Sequence, residues 1–406
     1  MKLLQQVQND FPFLNRELDG KKIIYLDSAA TSLKPKQMVE VINDYYLMGS
    51  TNIHRGKNYL MEEASNRYEQ ARYKVANLIG CSGNEVVFVR NTTEAINLVA
   101  NGLKLDKEDL VVVFSDAHHS NMLPWLNKAS AKFVRINSCH SPDLEHYRQL
   151  LAEKPKVVAL NHCSNVTGIY APIEEMAELA KKAGAIVVLD AAQSIPHRPI
   201  NLNGLAVDFM MFSGHKMLAP TGIGVLFGRA EQLEQLDVTM FGGGMVDWVD
   251  QRGYRLRKIP HRFEAGTPHI AGAYGLGAAI DYLNNIGYER LMCHETELAQ
   301  LMLDHALKRD YLRIINPDPK ADRGAVLSLY IPGMENLDDT ARILSDSYGI
   351  MCRTGHLCAQ PFINSVSNGQ VLRISAYFYN SPRDIELFFN ALDEVISMLT
   401  SNLIEI

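Results

Sequence analysis

The chain has 406 residues, 47% hydrophobic and 21% charged, the balance of an ordinary globular protein, and its length predicts roughly two to three domains. It holds too little glycine and proline (27 and 16) to be collagenous and too many apolar residues to be disordered. Acidic residues number 46 against 40 basic ones, a net charge of -6 with no basic block, which argues against direct nucleic-acid binding.

The opening stretch from Met1 to Leu14 carries one lysine and no sustained apolar core, so it does not read as a signal peptide. No run approaches the ~18 apolar residues of a membrane span. Six cysteines are scattered without a repeated spacing or a C-x-x-C pair, which predicts neither a disulfide framework nor a zinc ribbon. The expected setting is the cytoplasm, with no membrane or nucleic-acid partner.

Taken in chain order, short apolar runs predict strands at Val86–Val89, Val111–Phe114, Lys132–Ile136, Val157–Leu160, Ile186–Asp190, Phe209–Ser213 and Gly224–Gly228. Helical patterns lie between them, as at Thr93–Leu103 and Ile173–Ala183. Continuous apolar strands alternating with helices read as a mostly parallel sheet covered on both faces. After about Thr267 the texture changes. Helices are expected over Ala271–Ile286 and Glu289–Lys308, then strands near Val326–Ile331, Ile350–Arg353 and Leu372–Ser375, and a last helix over Pro382–Leu399. A large α/β domain followed by a smaller α+β domain is the expected fold class.

In open α/β sheets ligands sit beyond the C-terminal ends of the strands. Five polar clusters occupy those positions: Asn91 to Glu94, His118 to Asn121, Asn161 to Thr167, Asp190 to Gln193, and Ser213 to Lys216. A lysine at a strand end is partly desolvated, which favours the neutral, nucleophilic amine. Lys216 is therefore a candidate for a Schiff base with an aldehyde cofactor. A lone lysine would more simply be a solvated surface residue, but Ser213 and His215 flank this one with groups suited to phosphate. Asp190 ends an apolar strand, where an acid needs a cationic partner; a protonated pyridine nitrogen is one. Its simpler reading is a helix cap.

These residues, in this order, bring the chain to a family. Asp190-Ala191-Ala192-Gln193 followed by Ser213-Gly214-His215-Lys216 resembles the class V aminotransferase branch of fold-type I pyridoxal-phosphate (PLP) enzymes. Within it, the chain is similar to the group II (Suf-type) cysteine desulfurases and selenocysteine lyases. Further matching segments run the length of the chain: Tyr25 to Thr31, His54-Arg55-Gly56, Arg90 to Glu94, His118 to Asn121, Ser164-Asn165-Val166, Arg262 to Pro268, and Arg353 to Ala359. The resemblance implies a fold-type I PLP-dependent transferase with a seven-stranded sheet. It also implies a large PLP-binding domain over residues 27–284 and a small domain of residues 1–26 with 285–406.

By the same resemblance Lys216 is the Schiff-base lysine, Asp190 the partner of the pyridinium nitrogen and Gln193 a donor to the phenolic oxygen. His118 would stack on the ring and move protons, as an imidazole titrating near neutrality can. Thr92 and Thr93 at a helix start, with Ser213 and His215, would hold the phosphate, and Thr267 would reach it from a second subunit. Cys358 would attack the sulfur of the bound substrate, leaving alanine and an enzyme persulfide. Arg373, assisted by Asn165, would bind the substrate carboxylate, and Arg353 lies close to the thiol in sequence. The substrate is expected to be L-cysteine, with L-selenocysteine as the alternative. The expected assembly is a homodimer serving a sulfur-acceptor protein.

The chain departs from the family pattern at Ala117, where glutamate is usual, and at Asn58 and Leu357, where histidines are usual. The departures motivate a second reading, a selenocysteine lyase or a diverged biosynthetic lyase or transferase of the same fold. A third reading is a catalytically degenerate PLP-binding protein, against which Lys216 and Cys358 speak. Metal is not expected, since Cys139-His140, His162-Cys163 and His118-His119 match no common zinc spacing.

Overall fold

The computed structural model describes residues 7–401, except Arg55, Ser138, Glu335 and Asn368. Arg55 of the His54-Arg55-Gly56 motif therefore lies outside the described residues, as do residues 1–6 and 402–406 of the expected small domain. Seven strands form the central sheet: β1 (Val86–Val89), β2 (Leu110–Phe114), β3 (Ser130–Val134), β4 (Val157–Asn161), β5 (Ile186–Asp190), β6 (Phe209–Ser213) and β7 (Gly224–Gly228). Their spatial order is β1-β7-β6-β5-β4-β2-β3. Strands β2 to β6 run parallel, and β7 is antiparallel to both β1 and β6. Strands β1, β6 and β7 are buried at every position, which is why they read as unbroken apolar runs. Edge strand β3 alternates exposed and covered residues. It begins two residues before the apolar pattern predicts, because the ladder pairs Leu110 with Ser130 and Phe114 with Val134.

Glycine is required at Gly224, at the start of β7. A Cβ there would lie 2.8 Å from the Asn91 Cα and 2.9 Å from the Phe212 carbonyl oxygen. The missing side chain lets β7 press against the turn that opens helix α3. Among the described residues, the helices of ten residues or more are α1 (Lys36–Met48), α2 (Tyr59–Ile79), α3 (Thr92–Gly102), α4 (Ile173–Lys182), α5 (Ile270–Ile286), α6 (Tyr288–Leu307), α7 (Asp338–Tyr348) and α8 (Pro382–Ser401). Helix α5 packs against both α1 and α2.

A second, antiparallel sheet has the order β8-β9-β11-β10, with β8 at Arg313–Ile314, β9 at Val326–Tyr330, β10 at Arg353–Gly355 and β11 at Val371–Ser375. The single strand expected over Ile350–Arg353 is two. Ile350–Met351 pairs in parallel with Ile24–Tyr25, and after Cys352 the chain crosses to β11. Three apolar cores result among the described residues, two of them large. The larger surrounds the seven-stranded sheet and also takes in Phe11 and Tyr377; the smaller holds Ile24 and Leu26 against the second sheet, α6 and α8. Among the described residues no helix is long and apolar enough to cross a membrane.

Candidate active site

The C-terminal ends of β4, β5 and β6 open into one cavity of about 430 Å³, which the second sheet closes from the other side. That volume lies in the roughly 300–1,000 Å³ range of small-molecule sites. Every site residue expected from sequence lines it except Thr267. Residues 90–94, 118–121, 161–167, 190–193 and 213–216 each reach it because each follows a strand, and the parallel strands carry those ends to one edge.

The lysine sits on the floor. Lys216 Nζ donates to Gln193 Oε1 at 3.1 Å. Burial lowers its pKa to about 8, opposed by the Asp190 charge and reinforced by Arg373. Asp190 is 6% exposed, and its Oδ1 accepts the Ala192 N–H at 2.9 Å. Burial raises its pKa, while that hydrogen bond and Lys216 hold it back. The Ala192 bond resembles the cap considered above, but Asp190 also faces the cavity. A buried acid that opens onto a cavity beside an amine fits a cationic ring nitrogen.

The end of the cavity where sequence places a phosphate is assembled from four segments, around residues 31, 91–94, 120 and 213–215. Asn91 caps α3, its Oδ1 accepting the Glu94 N–H at 2.9 Å. The Thr92 N–H donates to Ser213 Oγ at 2.9 Å, and the two hydroxyls lie 2.8 Å apart. Thr93 Oγ1 lies 2.7 Å from Ser120 Oγ, and His215 Nδ1 is 3.3 Å from Thr31 Oγ1. Burial, then the Lys216 and Lys34 charges, bring His215 down to about 4. These hydroxyls and the N-terminus of α3 suit an anion.

The His215 carbonyl, which immediately precedes Lys216, accepts four donors. They are the Ser32 N–H at 3.1 Å, Thr31 Oγ1 at 3.0 Å, Ser32 Oγ at 3.1 Å and Lys34 Nζ at 2.8 Å. Residues 31–34 thus clamp the turn that aims Lys216. Burial lowers Lys34 to about 7. Sequence reading assigned this lysine nothing, since nothing along the chain links residue 34 to residue 215.

His118 corrects the expectation of a group titrating near neutrality. Burial, then the positive charge of Lys216 and the neighbouring His119 and Arg373, lower it to about 4. Its Nδ1 accepts the Ser120 N–H at 3.1 Å, which leaves Nε2 as the protonated nitrogen. It is a neutral imidazole at physiological pH.

Cys358 stands exposed at the cavity mouth. Leu357 and Cys358 both take left-handed backbone angles, with φ 50 and 54°. Such conformations cost of order 1–3 kcal/mol each in non-glycine residues. Three contacts hold them. Asn165 Nδ2 donates to the Leu357 carbonyl at 2.8 Å, the His119 N–H to the Cys358 carbonyl at 2.7 Å, and the Gln360 N–H to His119 Nε2 at 3.2 Å. One N–H of the Asn165 amide is thus engaged with the cysteine loop, while the residue also lines the cavity. Asn165→Ala should lower turnover by up to about a hundredfold, the effect of a misplaced reacting group. Alkylation of Cys358 by iodoacetamide should become faster as the loop loosens; unchanged rates of both would remove Asn165 from this role.

Arg373 is buried on β11. Its Nη1 donates to the Asn165 carbonyl at 3.0 Å and its Nη2 to Asp27 Oδ1 at 3.0 Å, while Nε is buried without a partner. Burial lowers its pKa, opposed by Asp27. Arg373 lines the cavity, and a guanidinium there suits a carboxylate. Arg353 also lines the cavity and is bound to Asp27.

Thr267 lies elsewhere. It is exposed beside a separate cleft of about 230 Å³ lined by His54, Gly244 and His261. Its segment is anchored by Glu264, which accepts from Arg72 Nη1 and from the Phe88 N–H, each at 2.7 Å. Burial alone would raise Glu264, but the Arg72 charge and the hydrogen bonds outweigh it and hold the acid at about 2. His54, Glu69 and His261 offer ligand atoms within 4.8 Å of one another. However, Glu69 already accepts Arg72 Nε at 2.8 Å, and the Arg257 charge bears on His54, so the cluster reads as an ion-pair network.

The departures at Asn58, Ala117 and Leu357 each have a structural role. Asn58 caps α2 through the Met61 N–H at 3.0 Å; Ala117 is fully buried; Leu357 packs with Val166, Phe362 and Val371.

Fold and site together define a cofactor-dependent enzyme with a lysine-floored cavity. The aminotransferase class-V model matches residues 24–388, and the chain belongs to that family. Among curated proteins it is 41% identical to a probable cysteine desulfurase of Synechocystis, over 98% of this chain and 97% of that one. A probable cysteine desulfurase of Streptomyces coelicolor is 40% identical, over 96% of each chain. Among solved structures, the apo cysteine desulfurase of Thermococcus onnurineus superposes with a TM-score of 0.91 at 36% identity, covering 97% of this chain and 98% of its own. The Escherichia coli cysteine desulfurase CsdA, in its S-sulfonic acid form, gives 0.88 at 33% identity over 97% and 98%.

Proposed function

We propose that the protein is a PLP-dependent cysteine desulfurase, converting L-cysteine to L-alanine and carrying the sulfur as a persulfide on Cys358. The observation that carries this is the meeting of Lys216, Asp190, Cys358 and Arg373 in one cavity. The cradle fits PLP. Asp190 would face the ring nitrogen, Gln193 the phenolic oxygen and His118 the ring; Thr92, Thr93, Ser213 and His215 would take the phosphate. When bound, PLP supplies an electron sink for the substrate's α-carbon.

The chain's own groups do the rest. Arg373 binds the α-carboxylate through guanidinium N–H groups that the Asn165 carbonyl and Asp27 leave free. Lys216 is the group that moves the α-proton, because burial lowers its pKa to about 8 and makes the amine accessible near neutrality. His118, neutral, offers Nε2–H toward the cavity. The Cys358 thiolate attacks the substrate sulfur; the Cβ–S bond breaks with its electron pair going to Cβ, which a proton then converts to the methyl group of alanine. Atoms balance as L-cysteine plus the Cys358 thiol giving L-alanine plus the persulfide.

The exposed position of Cys358 supports onward transfer to an acceptor protein. Thr267, exposed on an anchored segment, suits a homodimer in which it reaches the phosphate cup of the other protomer. Six free cysteines, three of them exposed, suit a reducing cytoplasm. We take residues 27–284 as the large domain and 1–26 with 285–406 as the small one, the N-terminal segment bridging the two large cores. The departures behind the selenocysteine-lyase reading have structural roles, so nothing in the site favours it over L-cysteine.

With L-cysteine and a thiol reductant, alanine and sulfide should appear in equal amounts. Pyruvate and ammonia in place of alanine would mean carbon–sulfur elimination, and the desulfurase reading would fall.

A further inference from the structure

Arg353 and Arg373 are direct cross-strand partners on β10 and β11. Like charges directly opposite one another destabilise a sheet, and these two also face the same cavity. One carboxylate bridges them. Asp27 Oδ1 accepts Arg373 Nη2 at 3.0 Å, and Asp27 Oδ2 accepts Arg353 Nε at 3.0 Å and Nη2 at 2.9 Å. Asp27 comes from a distant part of the chain and is fixed by a β-bridge to Ser375, two residues beyond Arg373. The side chains of Asp27 and Arg373 are 12% and 3% exposed, so water screens their attraction little. Arg353 is 49% exposed and would be free to swing outward if released.

We propose that Asp27 is the positioning residue of the carboxylate subsite, holding the Arg373 guanidinium at the cavity wall so that N–H groups left over from its protein contacts meet the substrate, and restricting the site to amino acids with a free α-carboxylate. This rests on reading the cavity as an amino-acid site. The Arg373–Asp27 bond fixes the plane of the guanidinium, and the Asn165 carbonyl holds its other terminal nitrogen. Each terminal nitrogen keeps a second N–H, and the fixed plane decides where a carboxylate can meet them. Asp27 also cancels one of two adjacent positive charges, so a single anion balances the remaining one. No atom of Asp27 has to touch the substrate.

The test uses the PLP-loaded enzyme and a matched pair of ligands, L-alanine and its decarboxylated counterpart ethylamine, each titrated by the change in cofactor absorption. In Asp27→Asn the dissociation constant of L-alanine should rise at least tenfold, and KM for L-cysteine with it. Ethylamine should bind the variant and the parent alike. An equal weakening of both ligands would mean a general structural defect, and unchanged L-alanine binding would mean Arg373 needs no anchor; either overturns the proposal. Should Asp27→Asn not accumulate, Asp27→Glu carries the same comparison, with a smaller selective loss expected from the displaced carboxylate. Because the titrations need no sulfur chemistry, a chain that released no sulfide at all would still decide the role of Asp27.

Discussion

Cys358→Ala should abolish sulfide release from L-cysteine, by about a thousandfold or more, while the cofactor spectrum and its response to L-cysteine persist. The size of the effect follows from the absence of a substitute. Among the described residues that line the cavity, the other thiol is Cys163. It is 3% exposed and donates to the Gly168 carbonyl at 3.4 Å. Burial pushes its pKa far up, the nearby Arg198 and Lys216 charges notwithstanding, so it is a neutral thiol at every working pH. Cys358 instead sits on an exposed turn beside Arg353 and within the field of Lys216. Cys163→Ala should therefore stay within about threefold of the parent. Sulfide release measured on both variants decides the matter. Retained release in Cys358→Ala would move the nucleophile elsewhere, and a collapse in Cys163→Ala would assign the buried thiol a role it lacks here.

The central sheet was legible because burial on both faces leaves unbroken apolar runs, and four of its seven strands begin and end where the pattern puts them. The site was legible for a related reason. Parallel strands end on one edge, so the polar residue after each run is a candidate without any knowledge of distance. The parts that escaped depend on contacts between remote segments. Asp27 lay inside a recognised segment, yet its bond to Arg373 spans 346 residues and leaves no local trace. The clamp of Lys34 on the His215 carbonyl spans 181. The break at Cys352 was missed because pairing partners, not propensity, decide which sheet a short strand joins. His118 illustrates a separate gap. Its type and position are visible in sequence, but the burial and neighbouring charges that lower it to about 4 exist only in the folded chain.

Lys216→Ala should cost about a thousandfold or more in turnover, since on the proposed mechanism one amine would both anchor the cofactor and move the substrate's α-proton. Parent apoenzyme tests the assignment without relying on catalysis. Attack on the aldehyde of added PLP requires the neutral amine. An ordinary lysine titrates near ~10.4 and is almost wholly protonated at pH 7. Burial brings Lys216 to about 8, with Asp190 partly restoring the proton and Arg373 disfavouring it. The reloading rate, followed by absorbance, should thus climb nearly tenfold per pH unit from pH 6 and level off above about 8. Stability of the apoenzyme moves in the same direction. Between about 8 and ~10.4 the unfolded chain holds a proton that the folded chain has released, so stability rises with pH across that window. A reloading rate still climbing steeply at pH 10 would mean an amine open to solvent, and the cavity floor would need another account.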